Sequence, residues 1–208
     1  TFIPTPQETQ PKTAPTPQGD RLPEEASFPW VPNVNSRTAF PVVVLHKYNS
    51  IVFRNVVTRA AISNLTTKLL AISRSLRTSD PIYLYLDTPG GVVDDGLQAI
   101  DTVQGLAQEV KTITQFSASM GFHMVQSMGE RLITPSGVLM SHRMRGGVEG
   151  QIPGEAVTRL NAALELANVL DAAVCRRIGM KLEDYQHLII NEYWVSGYKA
   201  VEANMADK

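Results

Sequence analysis

The chain has one cysteine among 208 residues, so no disulfide can form within it. Cys175 lies in the apolar stretch Asp171 to Ile178 and reads as a small buried hydrophobe. No basic catalytic group is visibly paired with it, which argues against a reactive thiol. Excess charge is also lacking: 19 Lys and Arg stand against 20 Asp and Glu, a net charge of −1. That balance removes any strong pull toward nucleic acid or an anionic membrane. No apolar run reaches the ~18–20 residues of a membrane span, so no transmembrane segment is expected. No signal peptide stands at the start. The four histidines, His46, His123, His142 and His187, come without paired cysteines or an H-E-x-x-H pattern. A metal site is therefore not expected, nor is an organic cofactor.

What is present suffices for a sizeable core: 43% of the residues are hydrophobic. The length suits one domain plus a tail, given about 100–200 residues per domain. Residues 1–35, rich in Pro, Thr and Gln, cannot bury a core and read as a flexible tail or linker. Phe28, Trp30 and Val31 close this segment and could pin it to the globular body, residues 36–208. The first residue is Thr1, which fits either loss of an initiator Met or removal of a leader. A cytoplasmic location is the starting expectation, with export or a periplasmic location as the alternative.

From Ala39 onward strands and helices alternate. Phe40 to Leu45, Ile51 to Phe53, Ile82 to Leu86 and Val110 to Gln115 read as strands, as do Arg131 to Ile133 and Val138 to Met140. Helices are expected from Val57 to Arg74, after Gly91, from Ser119 to Met128, from about Gly154 to Ile178 and near Leu182 to Ile190. Asp94 and Asp95 sit where carboxylates complement the helix dipole. This order argues an α/β fold with mainly parallel pairing.

Three local features could carry chemistry, and each has a plainer reading. Pro89-Gly90-Gly91 ends a strand; it is either an ordinary turn or a place where the Gly91 N–H can meet a carbonyl oxygen. Ser119 stands where a strand runs into a helix; it is either a helix cap or a nucleophile helped by the helix dipole and the Met120 N–H. His142 follows a strand and precedes Gly146-Gly147; it is either structural or a general base. His123, one helical turn after Ser119, can point into the core.

Taken in order, the segments Ile82 to Gly91, Ala118 to Gly121, Pro135 to His142 and Gly146 to Gln151 resemble the proteolytic subunit of the Clp protease family. The resemblance runs from about Asn49 to the end of the chain. It implies a crotonase-like fold of repeated ββα units with a protruding strand-helix handle. It implies a serine endopeptidase with Ser119 as nucleophile, His142 as base, and Gly91 and Met120 N–H groups as the oxyanion hole. Gly146, Gly147 and Val148 would line the substrate groove and pair with an extended peptide. Unfolded protein or peptide would be the substrate, inside a homo-oligomer of one seven-membered ring or two stacked rings.

The chain departs from the family pattern in places. Glu192 falls where the family has its aspartate, with Asn191 as second candidate for the third triad member. Arg143-Met144-Arg145 follows His142 in place of Gln-Pro; these arginines read as solvated or as contacts to substrate or a neighbouring subunit. Tyr83 and Tyr85 match part of the family's docking pocket for a Clp-type ATPase, but Gly105 stands where an aromatic is expected, so that partner is an open expectation. Two other functions remain: a weak or inactive structural subunit, and an acyl-CoA hydrolase or hydratase on the same fold. Sister peptidases that use a lysine base fit less well, because of His142.

Overall fold

The computed structural model describes residue 43 and residues 45–208. The expected tail, its Phe28, Trp30 and Val31, and most of the strand expected at Phe40 to Leu45 lie outside the described residues. The elements in chain order are β1 (Ser50–Phe53), α1 (Arg59–Ser73), β2 (Ile82–Thr88), α2 (Val93–Gln104), β3 (Val110–Ala118), α3 (Met120–Gln126), β4 (Arg131–Ser141), α4 (Gly154–Ile178), α5 (Leu182–Leu188), β5 (Tyr193–Ser196) and α6 (Gly197–Glu202). The strands form one sheet in the order β1-β2-β3-β4-β5. The first three pairings are parallel, and β5 joins antiparallel to β4. Parallel neighbours need a crossover, and α1, α2 and α3 supply the three.

Local sequence explains these elements. In β2 the side chains alternate: Ile82, Leu84, Leu86 and Thr88 are buried, while Tyr83, Tyr85 and Asp87 are half-buried. The run looks uniformly apolar, yet it behaves as a two-faced strand because the helices cover one face. Helix α1 starts at Thr58, whose hydroxyl accepts from the Ala61 N–H at 3.4 Å. It buries Ile62, Leu65, Thr66 and Leu69, a single stripe of helical period. Helix α4 stops at Gly179, which takes the left-handed conformation with φ 76°.

Three expectations are modified. The second strand of each ββα unit is reduced to one bridging residue. Val57 before α1 and Gly91 before α2 pair in parallel with each other, outside the main sheet. The handle has its helix, but the strand expected at Gly146 to Gln151 does not form. Residues 142–149 have no strand partner among the described residues. The outer half of α4 likewise leaves Val157, Leu160 and Leu164 exposed, and its buried residues are Leu170, Val174, Cys175 and Ile178 at the inner end. The two short strands expected around Pro135 are one strand, β4, accommodated by a register shift between Thr114 and Phe116. The final β5–α6 unit was not anticipated as structure.

Candidate active site

Strand β3 delivers Ser119, and strand β4 delivers His142. Ala118 pairs with Met140 in the sheet, and the Ser119 N–H donates to the Met140 carbonyl at 2.9 Å. The two strand ends are therefore tied together just where the serine begins a helix and the histidine leaves a strand. Ser119 has φ 56° and ψ −122°, a backbone conformation costly for any residue with a side chain. Its hydroxyl makes no cap hydrogen bond to α3. The cap reading of this serine is thus excluded, and its Oγ lies 2.9 Å from His142 Nε2.

The tautomer of His142 follows from its other nitrogen. Nδ1 lies 2.6 Å from the Arg143 carbonyl oxygen, which can only accept. Nδ1 therefore carries the hydrogen, and Nε2 has a free lone pair toward the Ser119 hydroxyl. Neighbouring contacts hold this end of β4. The Ser141 hydroxyl and the Tyr185 hydroxyl share a buried hydrogen bond of 2.7 Å. The Arg143 N–H donates to Ile189 O at 3.3 Å, and its guanidinium to Gln186 O at 3.2 Å. Burial raises the Tyr185 phenol well above its usual range, so it stays protonated as a donor or acceptor to Ser141.

The glycine turn after β2 is obligatory at two positions. Gly90 has φ 87°, and a Cβ there would stand 2.8 Å from the Met120 nitrogen and 2.5 Å from the Ala118 oxygen. Gly91 has φ 150°, and its Cβ would meet the Val57 carbonyl oxygen at 2.3 Å. The bridge to Val57 uses the Gly90 carbonyl (2.8 Å) and the Val92 N–H (2.9 Å). It leaves the Gly91 N–H without an acceptor among the described residues, as is the Met120 N–H at the start of α3.

Gly91, Ser119, Met120, His142 and Glu192 all border one cleft. Glu192, however, does not hydrogen-bond to His142. One of its oxygens accepts from Arg145 at 2.9 Å and the other from the Trp194 indole N–H at 3.0 Å. The Trp194 bond first, and Arg145 second, hold this carboxyl below the usual range. Gly146, Gly147 and Val148 lie in an adjoining cleft against Leu160 and Leu164 of α4, not in the cleft of Ser119. His46 and His187 are not among the residues that line the Ser119 cleft.

Two residues of the cleft were given little or no weight by sequence reasoning. His123 lines it, and its Nδ1 is sealed from solvent without a hydrogen-bond partner. Burial, with a smaller contribution from the charge of His142, pushes its pKa down to about 4, so it is neutral at pH 7. Asp171, on α4, lines both clefts. Burial raises its carboxyl above the usual range, against a 3.3 Å hydrogen bond from Gln186 and the charge of Arg143. The available signal was an acid flanked by Ala167, Leu170, Val174 and Cys175, interrupting an inward helical face.

Fold and cleft together define an α/β protein that presents a serine and a histidine at the carboxyl ends of adjacent parallel strands, the usual place for a ligand in such sheets. A family model for Clp protease matches residues 35–208, and the chain belongs to that family. The chain is 29% identical to ATP-dependent Clp protease proteolytic subunit 3 of Synechococcus sp. (strain CC9605) over 134 residues, covering 63% of this chain and 67% of the relative. It is 28% identical to the ATP-dependent Clp protease proteolytic subunit of Streptococcus sanguinis (strain SK36) over 150 residues, 70% of this chain and 76% of the relative. Membership places the chain among peptidases. Among the described residues no helix is long and apolar enough to cross a membrane, and no group of three or more His, Cys, Asp or Glu is placed to hold a metal ion.

Proposed function

We propose that the chain is a serine endopeptidase in which Ser119 is the nucleophile and His142 the general base. The observation that carries this reading is the 2.9 Å contact between Ser119 Oγ and His142 Nε2, with Nδ1–H committed to the Arg143 carbonyl. In the first step His142 Nε2 takes the hydroxyl proton as Oγ attacks the scissile carbonyl. The carbonyl oxygen gains charge, and the unpartnered N–H groups of Gly91 and Met120 are the donors available to it. The imidazolium then gives its proton to the leaving amine. Water repeats the sequence to release the acyl group from Ser119. The strained serine backbone supports this reading, because such strain persists where the surrounding structure holds a reactive group in place.

The orienting role of a triad acid falls here to the Arg143 carbonyl. Glu192 contributes negative charge to the cleft, at a distance from Nδ1. Peptides or unfolded proteins would reach the site inside a homo-oligomeric chamber. The backbone of residues 144–148, which has no hydrogen-bond partner among the described residues, supports pairing with an extended substrate at Gly146, Gly147 and Val148. The exposed apolar residues of outer α4 support contact with another subunit. Half-buried Tyr83 and Tyr85 leave an ATPase partner as a proposal of lower standing, given Gly105.

The engagement of both Glu192 oxygens away from His142 favours one competing reading, a weak or inactive structural subunit. A fluorophosphonate probe separates the two. Wild type is expected to label covalently, while Ser119→Ala and His142→Ala do not. Folded, oligomeric wild type that stays unlabelled would establish the structural subunit instead.

A further inference from the structure

The cleft beside Ser119 contains a recess that the bond-breaking chemistry leaves unused. Its walls are apolar: Met120, Met140 and Leu170 of α4 are buried and line the cleft. Methionine walls adapt readily to a long, narrow side chain. Met144, Ala167 and Asp171 border both this cleft and the adjoining one, so the two clefts are continuous along α4.

The polar groups in this recess are under-satisfied. Asp171 receives one long hydrogen bond, 3.3 Å from Gln186. The one cation found to act on it, Arg143, is exposed and directs its guanidinium to the Gln186 carbonyl instead. Among the described residues Asp171 forms no ion pair, whereas Glu192, also lining the cleft, is paired with Arg145 at 2.9 Å. His123, neutral and with a sealed, unpartnered Nδ1, borders the same cleft. A half-buried carboxylate without an ion-pair contact gains from a cation that desolvates with it.

We propose that this recess receives the substrate side chain preceding the scissile bond, and that Asp171 makes it selective for lysine or arginine. The aliphatic stem lies on Met120, Met140 and Leu170, and the charged end reaches Asp171. This inference rests on the serine-peptidase reading above.

The test compares two fluorogenic peptides that differ only in lysine or norleucine before the cleaved bond, the latter an apolar match for the lysine stem. Wild type is expected to favour lysine by about tenfold or more in kcat/KM, and Asp171→Asn to lose that preference by about the same factor. Fluorophosphonate labelling, which does not use the recess, should stay unchanged in the variant. Equal preference in wild type and variant, with labelling intact, overturns the assignment of Asp171. Unlabelled wild type overturns the peptidase reading and this inference with it. Should Asp171→Asn fail to fold, inhibition of wild type by peptide aldehydes ending in lysine or norleucine reads the same preference. Tighter binding of the lysine aldehyde supports the proposal, and equal or weaker binding overturns it.

Discussion

At the scale of single residues, the site turns on which atom meets His142 Nδ1. A carbonyl oxygen fixes the tautomer as well as a carboxylate does, but supplies no full charge to the imidazolium. Where a carboxylate bonds to Nδ1, replacing it by its amide costs about 10⁴ in turnover, because the tautomer is lost. In this chain the tautomer is held by main chain, and Glu192 is bonded to Arg145 and Trp194. Glu192→Gln should therefore lower kcat less than about tenfold, measured on a peptide substrate at fixed pH. A loss near 10⁴ would show that Glu192 swings onto His142 in the working enzyme. Glu192 borders the cleft. The sequence could not foresee the rival contacts, since Arg145 and Trp194 reach the carboxylate only through the path of the loop after β4 and the pairing of β5 with β4.

At the scale of elements, α5 is a clamp on the end of β4. Its Tyr185 shares a buried hydrogen bond with Ser141, the residue before His142. Tyr185→Phe leaves the Ser141 hydroxyl buried without a partner, at a cost of about 1–2 kcal/mol. A denaturation series should show that loss, and pairing it with Ser141→Ala should recover most of it, since both ends are then apolar. Turnover in Tyr185→Phe should fall as well, through a looser His142. The elements themselves were largely legible. Helix α4 runs from Gly154 to Ile178 as its apolar period indicates, and the strands of the parallel sheet stand where β-branched and aromatic runs place them. The strand expected in the handle does not form, because residues 144–148 find no backbone hydrogen-bond partner among the described residues. Element β5–α6 was missed for another reason: Tyr193 to Ser196 is too short for periodicity to register, and pairing with β4 decides its conformation.

At the scale of the whole molecule, the C-terminal residues are fastened by a buried arginine. Arg131, 1% exposed, starts β4 and reaches Gln126 at 2.6 Å, the Asn204 carbonyl at 3.0 Å and Asp207 at 2.6 Å. Burial alone would raise the Asp207 carboxyl, but the hydrogen bonds and charge of Arg131 outweigh it and hold it below the usual range. A carboxyl lowered by folding stabilises the native state above its unfolded pKa of about 3.9, and that stability drains away as pH falls through the lowered value. Asp207→Asn should therefore cost stability at pH 7 and flatten the acid limb of the Tm-against-pH curve. The cost is about 2 kcal/mol, below that of breaking a fully buried pair, because the carboxylate is partly exposed. An unchanged acid limb would show that Arg131 is satisfied by Gln126 and Asn204 alone.

The pairing of Ala118 with Met140 has a consequence for the cell that makes this chain. Ser119 and His142 stand just beyond that pair, at the ends of separate strands joined through α3. A slip of one residue in the register would move the imidazole by about 3.3 Å and turn it to the opposite face. On the serine-peptidase reading proposed above, reactivity is thus withheld until the sheet has closed in its one correct alignment, and a nascent or misassembled copy is harmless without needing an inhibitor.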